Sequence, residues 1–129
     1  MMVLLDTHIV LVALGQSSIV LPPLMRSYLA RPDNVFASVV TLWELAIKHR
    51  LGKLGLSVRP ADLPELLENL NIQVLPVQAV HALIEIGPEP RTKDPFDRLL
   101  LGVCAAERLK LITIDRALAD HPLVWRDNG

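Results

Sequence analysis

The sequence predicts an α/β fold with a mostly parallel sheet, and three observations lead there. Short, wholly apolar runs such as residues 2–5 recur; they are too short for helices and suit strands buried on both faces. Between them lie segments whose apolar residues return at the helical period of about 3.6. Lastly, 51% of the 129 residues are hydrophobic and 21% charged, the reverse of a disordered composition. At this length a single domain, residues 1–129, can bury a core without disulfides or a structural metal.

The elements run in this order. Residues 2–5 form the first strand and meet a carboxylate at Asp6. A first helix covers 9–14 and is closed by Gly15. Pro22 and Pro23 open a second, in which Leu21, Leu24, Met25, Tyr28 and Leu29 fall at helical spacing and which Pro32 ends. Residues 35–40, rich in β-branched and aromatic side chains, predict the second strand, followed by a helix from about Thr41 to Leu51. Arg50 in its last turn and the trailing Gly52 mark that helix end. Leu63, Leu66, Leu67 and Leu70 sit at i, i+3, i+4 and i+7 and give a fourth helix with one buried face. A third strand spans 72–77, and Val77, Val80 and Ile84 carry a further helix. Gly87-Pro88-Glu89-Pro90 then breaks the chain into a loop containing Arg91, Thr92 and Lys93. Asp94 and Pro95 start the longest helix, which runs to about Leu109 and is apolar nearly all round over 99–106. Residues 110–114 give the fourth strand, 115–119 a short helix and 123–125 an edge strand.

Composition excludes several classes of function. With 13 basic and 14 acidic side chains the net charge is -1, which argues against gripping nucleic acid by bulk charge but leaves room for a local basic patch. The most apolar stretches, 9–14 and 99–106, are far short of the roughly 18 residues a membrane span needs. The start lacks the basic and apolar regions of a secretory signal, so the expectation is a cytoplasmic protein without a membrane partner. The lone Cys104 sits in an apolar run, fits a reducing compartment, and reads as a small buried hydrophobe without a chemical role.

The informative residues are acids placed where apolar strands end. Asp6 follows the first strand and Asp115 the fourth; Glu44 and Asp97 are expected in the first turns of the helices after the second strand and the loop. In open parallel sheets that edge is where ligands bind. Each acid also has a purely local reading. Thr41-x-x-Glu44 has the spacing of a capping box and Glu44 can pair with Lys48; Asp94, Pro95 and Asp97 read as N-cap, N1 and N3 of one helix; Asp6 and Asp115 can each cap the helical segment after them. The functional reading rests on their convergence. Four carboxylates brought together repel one another, and a divalent cation relieves that. A set without Cys or paired His suits a hard ion such as Mg2+ or Mn2+, acting on a phosphodiester. None of His8, His49, His81 and His121 shows metal-ligand spacing, and only His8 lies near the rim. An acidic site needs phosphate contacts elsewhere, and Arg91, Lys93, Arg98 and Arg116 are the candidates, Arg98 foremost because it adjoins Asp97. Trp43 precedes Glu44 and could stack on a base, but flanked by Leu42 and Leu45 it reads as core. A receiver-like or Asp-x-Asp phosphatase site does not fit, since Leu5 precedes a single Asp6 and position 8 is His.

Four blocks make the chain resemble a known family over nearly its whole length. They are Leu4-Leu5-Asp6-Thr7-His8, the stretch from Ser38 to Lys48 containing Thr41-Leu42-Trp43-Glu44, Asp94-Pro95-Phe96-Asp97-Arg98-Leu99-Leu100, and Leu111-Ile112-Thr113-Ile114-Asp115. In this order they are similar to PIN-domain ribonucleases of the VapC-like group, the toxin half of type II toxin-antitoxin pairs. The resemblance implies a three-layer α/β/α sandwich around a mainly parallel sheet. It further implies Mg2+- or Mn2+-dependent endonucleolytic cleavage of RNA, with Asp6, Glu44, Asp97 and Asp115 as catalytic and metal-binding acids and Asp94 and Thr113 in support. As partners it implies a cognate antitoxin that covers the acidic groove, and a homodimer. Members with the Asp-Pro-Phe-Asp-Arg block often carry a His two residues before it, where this chain has Thr92. The alternative is a degenerate PIN fold that binds RNA or protein without cutting.

Overall fold

In a computed structural model, which describes residues 1–31 and 34–126, four strands form the middle layer: β1 Val3–Leu5, β2 Val35–Ser38, β3 Gln73–Leu75 and β4 Lys110–Ile112. Their order is β3-β2-β1-β4 and every pairing is parallel, with Val3 opposite both Val35 and Lys110. Among the described residues six α-helices surround them, α1 Thr7–Ala13, α2 Pro23–Leu29, α3 Val39–Arg50, α4 Leu63–Asn69, α5 Ala79–Leu83 and α6 Pro95–Glu107, with a single 3₁₀ turn at Pro60–Asp62 leading into α4. None of the described helices is long and apolar enough to cross a membrane.

The apolar strands are explained by what covers them. Side chains alternate across a strand, so Val3 and Leu5 join one core and Leu4 the other, and all three are fully buried. On the first face Val35, Ala37 and Ile112 pack with Ile9 and Val10 of α1, Met25 and Tyr28 of α2, Leu45 of α3 and Leu63 and Leu67 of α4. On the second, Leu4 and Leu111 meet Leu100, Leu101, Val103 and Cys104 of α6. This is the expected three-layer sandwich. It also agrees with the strand order: right-handed crossovers place the helices between β1 and β3 on one side and those between β3 and β4 on the other. The direction of winding reverses beside β1, which puts the carboxyl ends of β1 and β4 at the edge where open parallel sheets bind ligands.

Several boundaries depart from expectation, each for a local reason. The second strand stops at Ser38, not at residue 40, because the Ser38 hydroxyl accepts the Val40 N–H at 3.0 Å and starts α3 two residues early. The third strand shrinks to 73–75 and the fourth ends at Ile112. In place of the helix expected over 115–119 there are turns, in which Leu118 and Ala119 bond back to the carbonyls of Asp115 and Arg116, three residues before. The edge strand at 123–125 reduces to one parallel bridge between Val124 and Leu111. In α5 the buried residue is His81, while Val77 and Val80 are exposed. Likewise Met25 and Tyr28 carry the buried side of α2 and Leu24 is exposed; Leu70 also faces out. Gly15 and Gly52 close α1 and α3 at positive φ, as their positions suggest. The stop assigned to Pro32 lies outside the described residues. Cys104 is fully buried and its thiol pKa is pushed up by that burial, in keeping with an inert side chain.

A candidate metal centre at the rim of the sheet

Asp6 stands where β1 hands over to α1. It is the N-cap of α1: one carboxylate oxygen accepts the His8 N–H at 2.7 Å. The other accepts the hydroxyl proton of Thr113 at 2.5 Å, from a residue 107 positions away that follows β4 on the neighbouring strand. Asp6 is 3% exposed. Burial pushes its carboxyl above the usual range, the bonds from Thr113 and His8 pull it back, and the Asp115 charge raises it further. Thr113 in turn accepts the Asp115 N–H at 3.0 Å, so one buried hydroxyl ties Asp6 to the Asp115 segment.

Asp97 enters from the opposite helical layer. Asp94 caps α6 by accepting the Phe96 N–H at 2.9 Å, Pro95 occupies the first position, and Asp97 sits in the first turn. Its carboxyl is half-buried and pushed up to about 6, chiefly by burial, then by the charges of Asp94, Asp6 and Asp115. Thr92 donates its hydroxyl to Asp97 at 3.3 Å and fixes the loop before the helix by accepting the Asp94 N–H at 3.1 Å. Asp6, Asp94, Asp97 and Asp115 therefore share one electrostatic field.

Glu44 is buried in the second turn of α3, not the first. The capping box expected from Thr41 and Glu44 is absent, because Ser38 caps the helix. Glu44 instead accepts the Thr7 hydroxyl at 2.7 Å and the Lys48 ammonium at 2.5 Å. The Lys48 pKa is raised first by that bond, with Asp94 and Asp97 contributing, so its charge reaches the same field. The Glu44–Lys48 pair is the one the i+4 spacing suggests, whereas the Thr7 contact is not singled out by the sequence pattern. The only signal for Thr7 is that it adjoins Asp6.

The local, capping reading holds for three acids. Asp6, Asp94 and Asp115 each use one oxygen on a backbone N–H, Asp115 on that of Ala117 at 2.9 Å. Among the described residues no three His, Cys, Asp or Glu side chains are close enough as placed to grip an ion. The donor chemistry nevertheless fits a hard cation: the oxygens are carboxylate, and the nearest imidazole, His8, is 3.7 Å from Asp6 on a largely exposed side chain.

The basic candidates divide. Arg98 turns away from the acids and braces the preceding loop, bonding Glu89 at 2.7 Å and the Ile84 carbonyl at 3.0 Å. Arg91, Lys93 and Arg116 are exposed and make no ion pair among the described residues. Trp43 is not core as expected: it is 56% exposed and meets Phe96 at a centroid separation of 5.4 Å and an angle of 68°.

Comparison with known proteins agrees with this architecture. The sequence matches the family model for the PIN domain over residues 3–122. A chain from a toxin-antitoxin complex of Klebsiella pneumoniae superposes with a TM-score of 0.62 at 19% identity, covering 96% of this chain and 96% of that one. No curated protein matches the sequence.

Proposed function

The chain belongs to the PIN domain family, and on that premise we propose that it is a metal-dependent endoribonuclease and the toxin half of a toxin-antitoxin pair. One observation carries this reading above the rest: the buried Thr113 hydroxyl bonds the Asp6 carboxylate, 107 positions away, and accepts the Asp115 N–H, so acids from the two ends of the chain meet, and their charge helps to hold the Asp97 carboxyl above its usual range. Crowding of like charge at a strand-end crevice costs stability unless the site has a use for it.

Asp6, Asp97 and Asp115 would hold Mg2+ or Mn2+, with Glu44 as the fourth acid. A bound ion of this kind supplies an activated water and neutralises charge at a phosphodiester. The chain's own residues do the rest. Thr113 holds the Asp6 carboxylate in one rotamer, and Asp94 and Thr92 fix the first turn of α6 that carries Asp97. Lys48 holds Glu44 in reserve and keeps a positive charge at the acidic rim. Arg91, Lys93 and Arg116 are free to take backbone phosphates of an RNA strand, whereas Arg98 serves as a brace. A protein partner, the antitoxin, fits such a rim by offering it a basic side chain; the superposed Klebsiella chain comes from a toxin-antitoxin complex.

The test is cleavage of a mixed structured RNA pool by purified, antitoxin-free protein in Mn2+ or Mg2+, against chelator and an Asp6→Asn control. The expected outcome is fragments that require both metal and Asp6. Absence of fragments from protein that binds Mn2+ would favour a binding module on a degenerate PIN fold.

A further inference from the structure

Resting on that nuclease reading, we propose that Trp43 and Phe96 form a stacking platform for an unpaired RNA base next to the scissile phosphate. The two rings meet at 68° with centroids 5.4 Å apart, so they make a corner, one wall from each helix. Each stands one residue before a site carboxylate: Trp43 before Glu44 on α3, Phe96 before Asp97 on α6. These two helices pack on each other. The aromatic corner is therefore built on the same two segments as the acidic crevice.

Packing alone does not account for Trp43. Its indole is 56% exposed, while Thr41, Glu44 and Leu45 of the same helix are buried, so α3 turns the acid inward and leaves the ring at the lip. A large apolar ring left mostly in water gains little from its one aromatic neighbour. Charge complementarity points to a base as its occupant. An acidic rim on a chain of net charge -1 cannot hold RNA by bulk attraction. Stacking grips a nucleotide without charge, and it tolerates any sequence because every base has a π-face. The exposed Lys93 and Arg91, in the segment leading into α6, complete the footprint by meeting the adjoining phosphates.

The test uses Asp6→Asn protein in Mn2+, which should hold RNA without cutting it, and a labelled mixed-sequence single-stranded 10-mer. Trp125→Phe in this background leaves Trp43 as the sole tryptophan. Binding should quench its emission. Trp43→Ala should weaken binding roughly 5- to 150-fold, the range expected for one lost base stack, with Trp43→Phe recovering part of it. Its salt dependence should stay as in the parent, whereas Lys93→Ala should flatten the dependence, since only a phosphate contact releases counterions. No quenching together with unchanged affinity in Trp43→Ala would overturn the platform. So would a shift from dimer to monomer in sedimentation with RNA affinity intact, which would assign the ring to an interface between two copies. If the wild-type chain neither binds nor cuts RNA, the nuclease reading fails first, and that is seen without any Trp43 variant.

Discussion

Asp97 records the electrostatic cost of the site most directly. Its carboxyl is pushed up to about 6 in the fold against roughly 4 in an unfolded chain. The folded protein binds that proton more tightly, so the contribution favours the fold below pH 4 and is lost as pH rises from about 4 to 6. In chelator, Asp97→Asn should therefore raise the melting temperature at pH 7 and flatten its fall between pH 4 and 7. The side chain is half-exposed and solvent screens it, so the gain is about 1 kcal/mol, or ~4 °C. A variant that melts lower than wild type at pH 7 would show that the carboxylates are not crowded. Lys48 should behave oppositely. Lys48→Met leaves the buried Glu44 carboxylate with only the Thr7 hydroxyl, which should cost about 1–3 kcal/mol in chelator. Added Mn2+ should then raise the melting temperature of Lys48→Met more than that of wild type; equal shifts would place Glu44 outside the metal's reach. The acids are legible in the sequence because Asp6 and Asp115 interrupt apolar runs. Trp43 is not, because its neighbours Leu42 and Leu45 suggest core, although it lies about 200° around the helix from Leu45, on the side turned away from the core.

Among the elements, strand interiors are legible and strand ends are not. Residues 3–5, 35–37 and 111–112 announce themselves by unbroken apolar character. Their last residues are decided by single hydroxyls that capture a backbone N–H: Ser38 that of Val40, Thr113 that of Asp115. Propensity favours continuing the strand through Val39 and Val40, but a buried Ser in the cap position outweighs it. Ser38→Ala should cost about 1 kcal/mol and lower the helical signal of α3 on heating. If Thr41→Ala proved more damaging than Ser38→Ala, the helix would start where the capping box suggested. The pairing of α5 with α6 rests on a different feature, the bare Cα of Gly102. A Cβ there would strike the His81 backbone carbonyl of α5. Backbone cannot swing aside as a side chain can, so Gly102→Ala should destabilise by about 3 kcal/mol or more, seen as a fall of ~10 °C in melting temperature. A neutral Gly102→Ala would mean that the two helices are held less closely.

For the whole molecule, the acidic rim is a junction of segments that are remote in sequence. Asp6 ends the first strand, Glu44 belongs to the helix after the second, Asp97 opens the last helix and Asp115 follows the fourth strand. Separately, these parts are held by the two cores on the faces of the sheet. At the rim, repulsion among Asp6, Asp94, Asp97 and Asp115 works against that packing, offset by the hydroxyls of Thr92 and Thr113, while Lys48 and Thr7 hold Glu44. A cation bound by the folded chain alone would reverse the balance, since it links both layers of helices through β1 and β4. At a hundred times its dissociation constant such an ion stabilises by about 2.7 kcal/mol, which for a chain of this size is roughly 10 °C in melting temperature. Mn2+ or Mg2+ should produce that shift in wild type at pH 7. Asp97→Asn and Asp115→Asn should each lose most of it, although Asp97→Asn begins from a higher melting temperature in chelator. That opposition separates a binding site from a charge cluster that any cation would screen: for mere screening, Na+ at matched ionic strength would do as well as Mn2+, and both variants would respond in proportion to the charge that remains.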